Sequence, residues 1–229
     1  MNDNKFGNLL RRNIIYAYSA QAIVLIISFV FTLILPKILG VAGFGYWQLF
    51  IMYTGYLGFF YLGLNDGYYL KNGGKAYKDL DYSKLKSQVV FSFLIHFALA
   101  ISIIVVLSAI NIDPNKKFIL ILVALYLPFF NMKGFLDQSF QAVNRVKIHS
   151  ISTILERVLM LVGIILLSSF NIDNYKIYIV IYVLTALIAL LYIIFSGKEI
   201  VKAPFLSLNE TKKEGVDNIK LGFPLMMSA

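Results

Sequence analysis

Six apolar runs, each about the 20 residues that one helical crossing of a bilayer needs, account for most of this 229-residue chain. They cover roughly residues 13–35, 44–64, 89–110, 118–140, 148–170 and 177–195. In hydrocarbon every backbone N–H and C=O must find its partner inside the protein, so such runs fold as membrane-spanning helices. Composition points the same way. Hydrophobic residues make up 59% and charged residues 14%, against about 45–50% and about 25% in soluble domains. The expected fold is an all-α integral membrane protein with a six-transmembrane-helix lobe over residues 1–196. A charged, Pro204-containing segment at 197–218 is expected to lie as an amphipathic cytoplasmic linker. A seventh apolar run opens at 219–229, as at the start of a truncated seventh helix in a longer chain.

Charge placement orients the lobe. Fifteen Lys and Arg residues fall before span one, between spans two and three, between four and five, or after six; four fall on the other side. The positive side is cytoplasmic, so the N-terminus is expected there, with the chain multi-pass. The first run follows Lys5, Arg11 and Arg12, but it exceeds a signal-peptide core and no small-residue cleavage site follows, so it reads as a retained span. The net charge of +9 is explained by these loops, which leaves no case for a nucleic-acid partner.

Catalytic signals are scarce. With no cysteine and two histidines, His96 and His149, in different runs, neither a metal site nor a cofactor is expected. There is no glycine-rich phosphate loop after a strand. Asp79 and Asp81 sit in a lysine-rich loop and temper its charge. The chain does not read as an enzyme.

The informative residues are polar groups deep in apolar runs, where a charge costs on the order of 2.5–3.5 kcal/mol on insertion scales and survives by pairing or by facing a wet cavity. On a helix at 100° per residue, Asn131, Lys133, Asp137, Gln138, Gln141 and Arg145 share one broad face of the fourth run. The fifth run carries Glu156 and Arg157. At 1.5 Å per residue, Lys133 and Glu156 each lie about 12 Å above the inner surface, so Lys133–Glu156 and Asp137–Arg157 pairs are expected. Such pairs either glue two helices or form the charged wall of a substrate cavity. Asp66 and His96 are further candidates for ion or proton coupling, set against a cap for Asp66 and a packing role for His96. Pro128 allows a kink beside Asn131, and Gly55, Gly58 and Gly63 allow close helix approach.

Several segments resemble a known family. Tyr61-Leu62-Gly63-Leu64-Asn65-Asp66-Gly67-Tyr68-Tyr69-Leu70-Lys71-Asn72-Gly73-Gly74 is similar to the "lGlnDGiylryGG" segment of oligosaccharide flippases. Gln141-Ala142-Val143-Asn144-Arg145-Val146-Lys147 resembles their "QatNRiKey" between helices four and five. Leu221-Gly222-Phe223-Pro224-Leu225-Met226 resembles the "lGlPlml" opening of helix seven, and Gly43-Phe44-Gly45-Tyr46 their "fGxy". Together these identify the chain as a member of the Wzx-type polysaccharide flippases of the multidrug/oligosaccharidyl-lipid/polysaccharide exporter superfamily, a MATE-like fold.

The resemblance implies a two-lobe transporter of about 12 to 14 helices that rocks around a central cavity. It would move an undecaprenyl-diphosphate-linked oligosaccharide to the outer leaflet for surface polysaccharide biosynthesis. Lys133, Arg145 and Arg157 match the family's cavity cations, and a polysaccharide polymerase and glycosyltransferases are expected partners beside the lipid bilayer. Three alternatives remain at this point. A cation-coupled drug antiporter would use Asp66, Asp137 and Glu156; a non-transporting scaffold would hold a polysaccharide assembly complex together; a membrane transferase would need a loop carboxylate.

Overall fold

The computed structural model describes residues 3–228 and, among them, is helical without strands. Eight α-helices follow in order: α1 Asp3–Gly55, α2 Leu64–Asn72, α3 Tyr82–Ala109, α4 Pro114–Ala142, α5 Val146–Ser169, α6 Tyr175–Ser196, α7 Lys198–Lys202 and α8 Leu208–Ser228. Five helical stretches among the described residues are long and apolar enough to cross a membrane; the first takes in α1 and the turn after it, and the others are α3 to α6. At 53 residues, α1 is about 80 Å of helix, well over the roughly 30 Å of a hydrocarbon core. It is interrupted at Gly40, whose φ of 65° is open to glycine and strained for other residues.

The run expected as one continuous second span is broken. After Gly55 the chain makes a 3-10 turn over Leu57–Tyr61, passes through left-handed Leu62 and Gly63, and only then enters α2. Hydropathy runs straight through this break, because left-handed backbone leaves no mark on an apolarity profile. Likewise, the boundary expected at residue 219 falls inside α8, which is continuous from Leu208. Thr211, Gly215, Asn218 and Gly222, spaced four, three and four apart, form its buried stripe against α2 and α3. Much of the segment expected as a surface linker is thus docked on the lobe.

Short polar turns set the helix starts. Asp81, Asp113 and Asn174 each cap a helix, accepting hydrogen bonds from the backbone N–H of Lys84 (3.0 Å), Lys116 (2.9 Å) and Lys176 (3.0 Å). Pro114 follows Asp113 at the first helical position, where its missing N–H costs nothing. Pro128 lies inside α4 without ending it.

α4 is the central helix, touching α1, α2, α3, α5 and α6. It is far more buried than α1 and α3, whose outer faces carry exposed Leu, Ile, Val and Phe suited to lipid. One apolar cluster joins α1, α4, α5 and α6 around Phe50, Ile119, Leu127, Met160 and Tyr178. A second joins α2, α3, α4 and α6 around Leu85, Phe135, Phe140 and Ile193. Polar side chains on α4 therefore have protein, not lipid, on most sides.

Candidate functional site

α4 and α5 meet at an ionic centre. Lys133 and Asp137 are one turn apart on α4, with Lys133 Nζ 3.1 Å from Asp137 Oδ2. The same ammonium lies 3.3 Å from Glu156 Oε2 on α5. The three side chains are 15%, 8% and 12% exposed. Lys133 is thus shared by two carboxylates and is an internal counterion rather than a free cation.

The expected Asp137–Arg157 pair does not form. Consecutive helical residues point about 100° apart, so once Glu156 faces α4, its neighbour Arg157 is turned aside. Arg157 lines a cavity of about 180 Å³ with Ser28, Thr32, Trp47, Gln48 and Tyr182. Among the described residues no carboxylate lies within 4.0 Å of its guanidinium. Asp137 is instead approached by His149, whose Nδ1 is 3.2 Å from Oδ1. That contact lacks hydrogen-bond alignment, and both atoms stay without a hydrogen bond. His149 stands seven residues before Glu156, almost the same angle on a helix, so a projection of α5 would have placed it here. Ser150 and Ser152, 1% and 0% exposed, add hydroxyls without partners to the same helix.

Arg145 belongs elsewhere. α4 ends at Ala142, and Asn144 turns left-handed at φ 61°, so Arg145 leaves the α4 face on which periodicity had set it. Its guanidinium stacks 3.5 Å over the Tyr77 ring, and Tyr77 Oη donates to Glu199 Oε2 at 3.0 Å. Glu199 is held below its ordinary carboxylate range, first by its own backbone N–H and next by Tyr77. The stack clasps α7 to the loop between α2 and α3.

Gln138 and Gly134 of α4 face α2, whereas Gln141 faces α1 and α5. Gln138 Nε2 donates to Asp66 Oδ1 at 3.3 Å, and a Cβ on Gly134 would sit 3.6 Å from the Asn65 amide nitrogen. Asn65 and Asn131, 2% and 1% exposed, keep unpartnered amide atoms. Gln141 Nε2 donates to the Asp137 carbonyl at 3.4 Å. His96 braces the broken span: Nε2 lies 3.0 Å from the Phe60 carbonyl and Nδ1 2.7 Å from that of Ser92. A neutral imidazole has one N–H for two carbonyls; Ser92 Oγ, 3.3 Å from Nδ1, offers the other contact. No hydrogen bond joins His96 to Asp66 among the described residues.

Chemically, the site has a neutralised lysine between carboxylates and one arginine without a direct counterion. A file of neutral amides and hydroxyls also runs down α5 and the facing side of α1. Such a surface can bind a polar ligand with one anionic centre.

The model of a family described as polysaccharide biosynthesis protein matches residues 10–229 of the chain. No curated protein and no solved structure matched it.

Proposed function

The chain belongs to the polysaccharide biosynthesis protein family, and on that premise we propose that it carries lipid-linked oligosaccharide units across the cytoplasmic membrane of a bacterium. The family and the apolar helices make it a membrane transport protein of polysaccharide biosynthesis. The finer reading is a lobe of six crossings with a cytoplasmic N-terminus, α1 supplying two of them around Gly40. Its substrate is a diphosphate-linked saccharide on an undecaprenyl tail. The bulk of the lysines and arginines on one side of the lobe supports the orientation.

The observation that carries this reading is the guanidinium of Arg157, in a cavity between α1 and α5 and without a carboxylate within 4.0 Å among the described residues. A planar guanidinium grips phosphate oxygens through paired N–H donors, and in a low-dielectric cavity that attraction exceeds its strength in water. Lys133 serves the site indirectly, holding Asp137 and Glu156 so that they do not neutralise Arg157. The surplus of carboxylates around Lys133 favours, as a second reading, a cation-coupled antiporter of the same superfamily. Depleting the chain from its native cell and extracting lipids tests both. The flippase reading expects undecaprenyl-diphosphate saccharide to accumulate, and Arg157→Ala expressed in its place to leave that accumulation unrelieved. Unchanged lipid levels with altered drug sensitivity would favour the antiporter.

A further inference from the structure

A second cavity, of about 270 Å³, opens where α1 faces the cytoplasmic halves of α4 and α5. Its polar lining is Tyr18, Gln21, Gln141, His149, Ser150 and Thr153, with small residues between. None of these is a fixed charge, and His149 stands against Asp137. Ser150 is 1% exposed, yet its Oγ has no hydrogen-bond partner. An unmet buried hydroxyl costs about 1–3 kcal/mol, so such a group in a cavity wall marks a place where a ligand or water completes the set.

The two cavities lie in register. Gln21, Ser28 and Thr32 are seven and eleven residues along α1 and share one face. Ser150 and Arg157 are seven residues along α5. On both helices the step from one cavity to the next is about 10 Å. The neutral, hydroxyl- and amide-lined chamber thus lies toward the cytoplasm, and the guanidinium-lined chamber lies about 10 Å deeper along the same two helices.

Resting on the flippase reading above, we infer that the neutral chamber is a monosaccharide subsite: it holds the pyranose ring attached to the diphosphate when the diphosphate is on Arg157. A pyranose offers hydroxyls that both donate and accept. Gln21, Gln141 and Ser150 do the same, and the Tyr18 ring, 74% exposed, gives an amphipathic face for the apolar side of the sugar. Thr153 Oγ1 already donates to the His149 carbonyl at 3.0 Å, which leaves its oxygen to accept. The absence of a fixed cation among the lining residues argues against a phosphate here. The volume falls just below the about 300–1,000 Å³ of drug-sized ligand pockets, so the chamber takes one ring and leaves later sugars toward the cytoplasm.

The test uses the full chain purified in nanodiscs and three probes: undecaprenyl diphosphate, and the same lipid bearing N-acetylglucosamine or galactose. The protein should bind at least one glycosylated lipid about 10-fold tighter than the bare lipid, the equivalent of one or two hydrogen bonds. Gln21→Leu, at an exposed position where folding is safe, should shrink that gap to about 2–3-fold, and Gln21→Leu with Ser150→Val should erase it. Affinity for the bare lipid should persist in both. Equal affinity of the unaltered protein for all three lipids overturns the subsite but leaves the flippase reading standing. So does a gap untouched by either variant. Failure to bind any of the three overturns the flippase reading itself.

Discussion

Replacing Lys133 by Met keeps the length and apolar stem of the side chain and removes its charge. Two carboxylates, 8% and 12% exposed, then face each other across α4 and α5 with no cation between them. Removing one partner of a buried ionic cluster costs about 3–5 kcal/mol, because the groups left behind stay desolvated. For a chain of this size, about 2–4 °C of melting temperature accompanies each kcal/mol, so Lys133→Met should melt on the order of 10 °C lower, followed through the fluorescence of the single Trp47. Adding Asp137→Asn and Glu156→Gln removes the stranded charges, and the triple variant should recover most of the loss. Two results would refute the reasoning. A single variant as stable as the parent would mean the carboxylates are hydrated rather than enclosed. A triple variant as unstable as the single would trace the loss to packing of the lysine stem.

Arg157→Ala should abolish transport with little change in melting temperature, since no ion pair is broken, and Arg157→Lys should restore it only in part because the paired donors are gone; surface polysaccharide and melting are the readouts. At Gly67 an added Cβ would overlap the Asn218 carbonyl, and at Gly222 it would overlap that of Gly63, backbone in both cases. Gly67→Ala should therefore loosen α8 from α2 at a cost of about 1–3 kcal/mol, seen as faster amide exchange along α8. Tyr77→Phe should loosen α7, which Lys86 still holds through the Val201 and Ala203 carbonyls, and in the unaltered protein the same contact should weaken on acidification. The Glu199 carboxyl is depressed when folded, so its contribution is present above its ordinary value of 4.5 and is lost as pH falls through the lower folded value. Amide exchange in α7, corrected for its intrinsic pH dependence, at pH 6 and at about pH 2.5, below the lowered carboxyl, checks this.

Helix placement was readable because apolar length and charged punctuation report directly on membrane crossing. The Lys133–Glu156 contact was readable too, since helical rise alone brings both to one depth. Arg157 was not, because its direction depends on which of two adjacent residues takes the α4 side. Arg145 was misplaced for want of the helix end at Ala142, and the broken second span for want of backbone torsions at Leu62 and Gly63. His149 was legible in principle. Its seven-residue spacing from Glu156 carries the signal.

The chain contains no cysteine, so single cysteines can be placed at Thr153, in the neutral chamber, and at Ile165, 54% exposed on the outer face of α5. Their reaction with a membrane-impermeant sulfonatoethyl thiosulfonate in inside-out vesicles measures access from the cytoplasm. A water-filled path for the saccharide predicts rapid modification at 153, slowed by added lipid-linked oligosaccharide, and none at 165. A thiol at 153 that is unreactive, or that reacts at the same rate with and without the lipid, contradicts it.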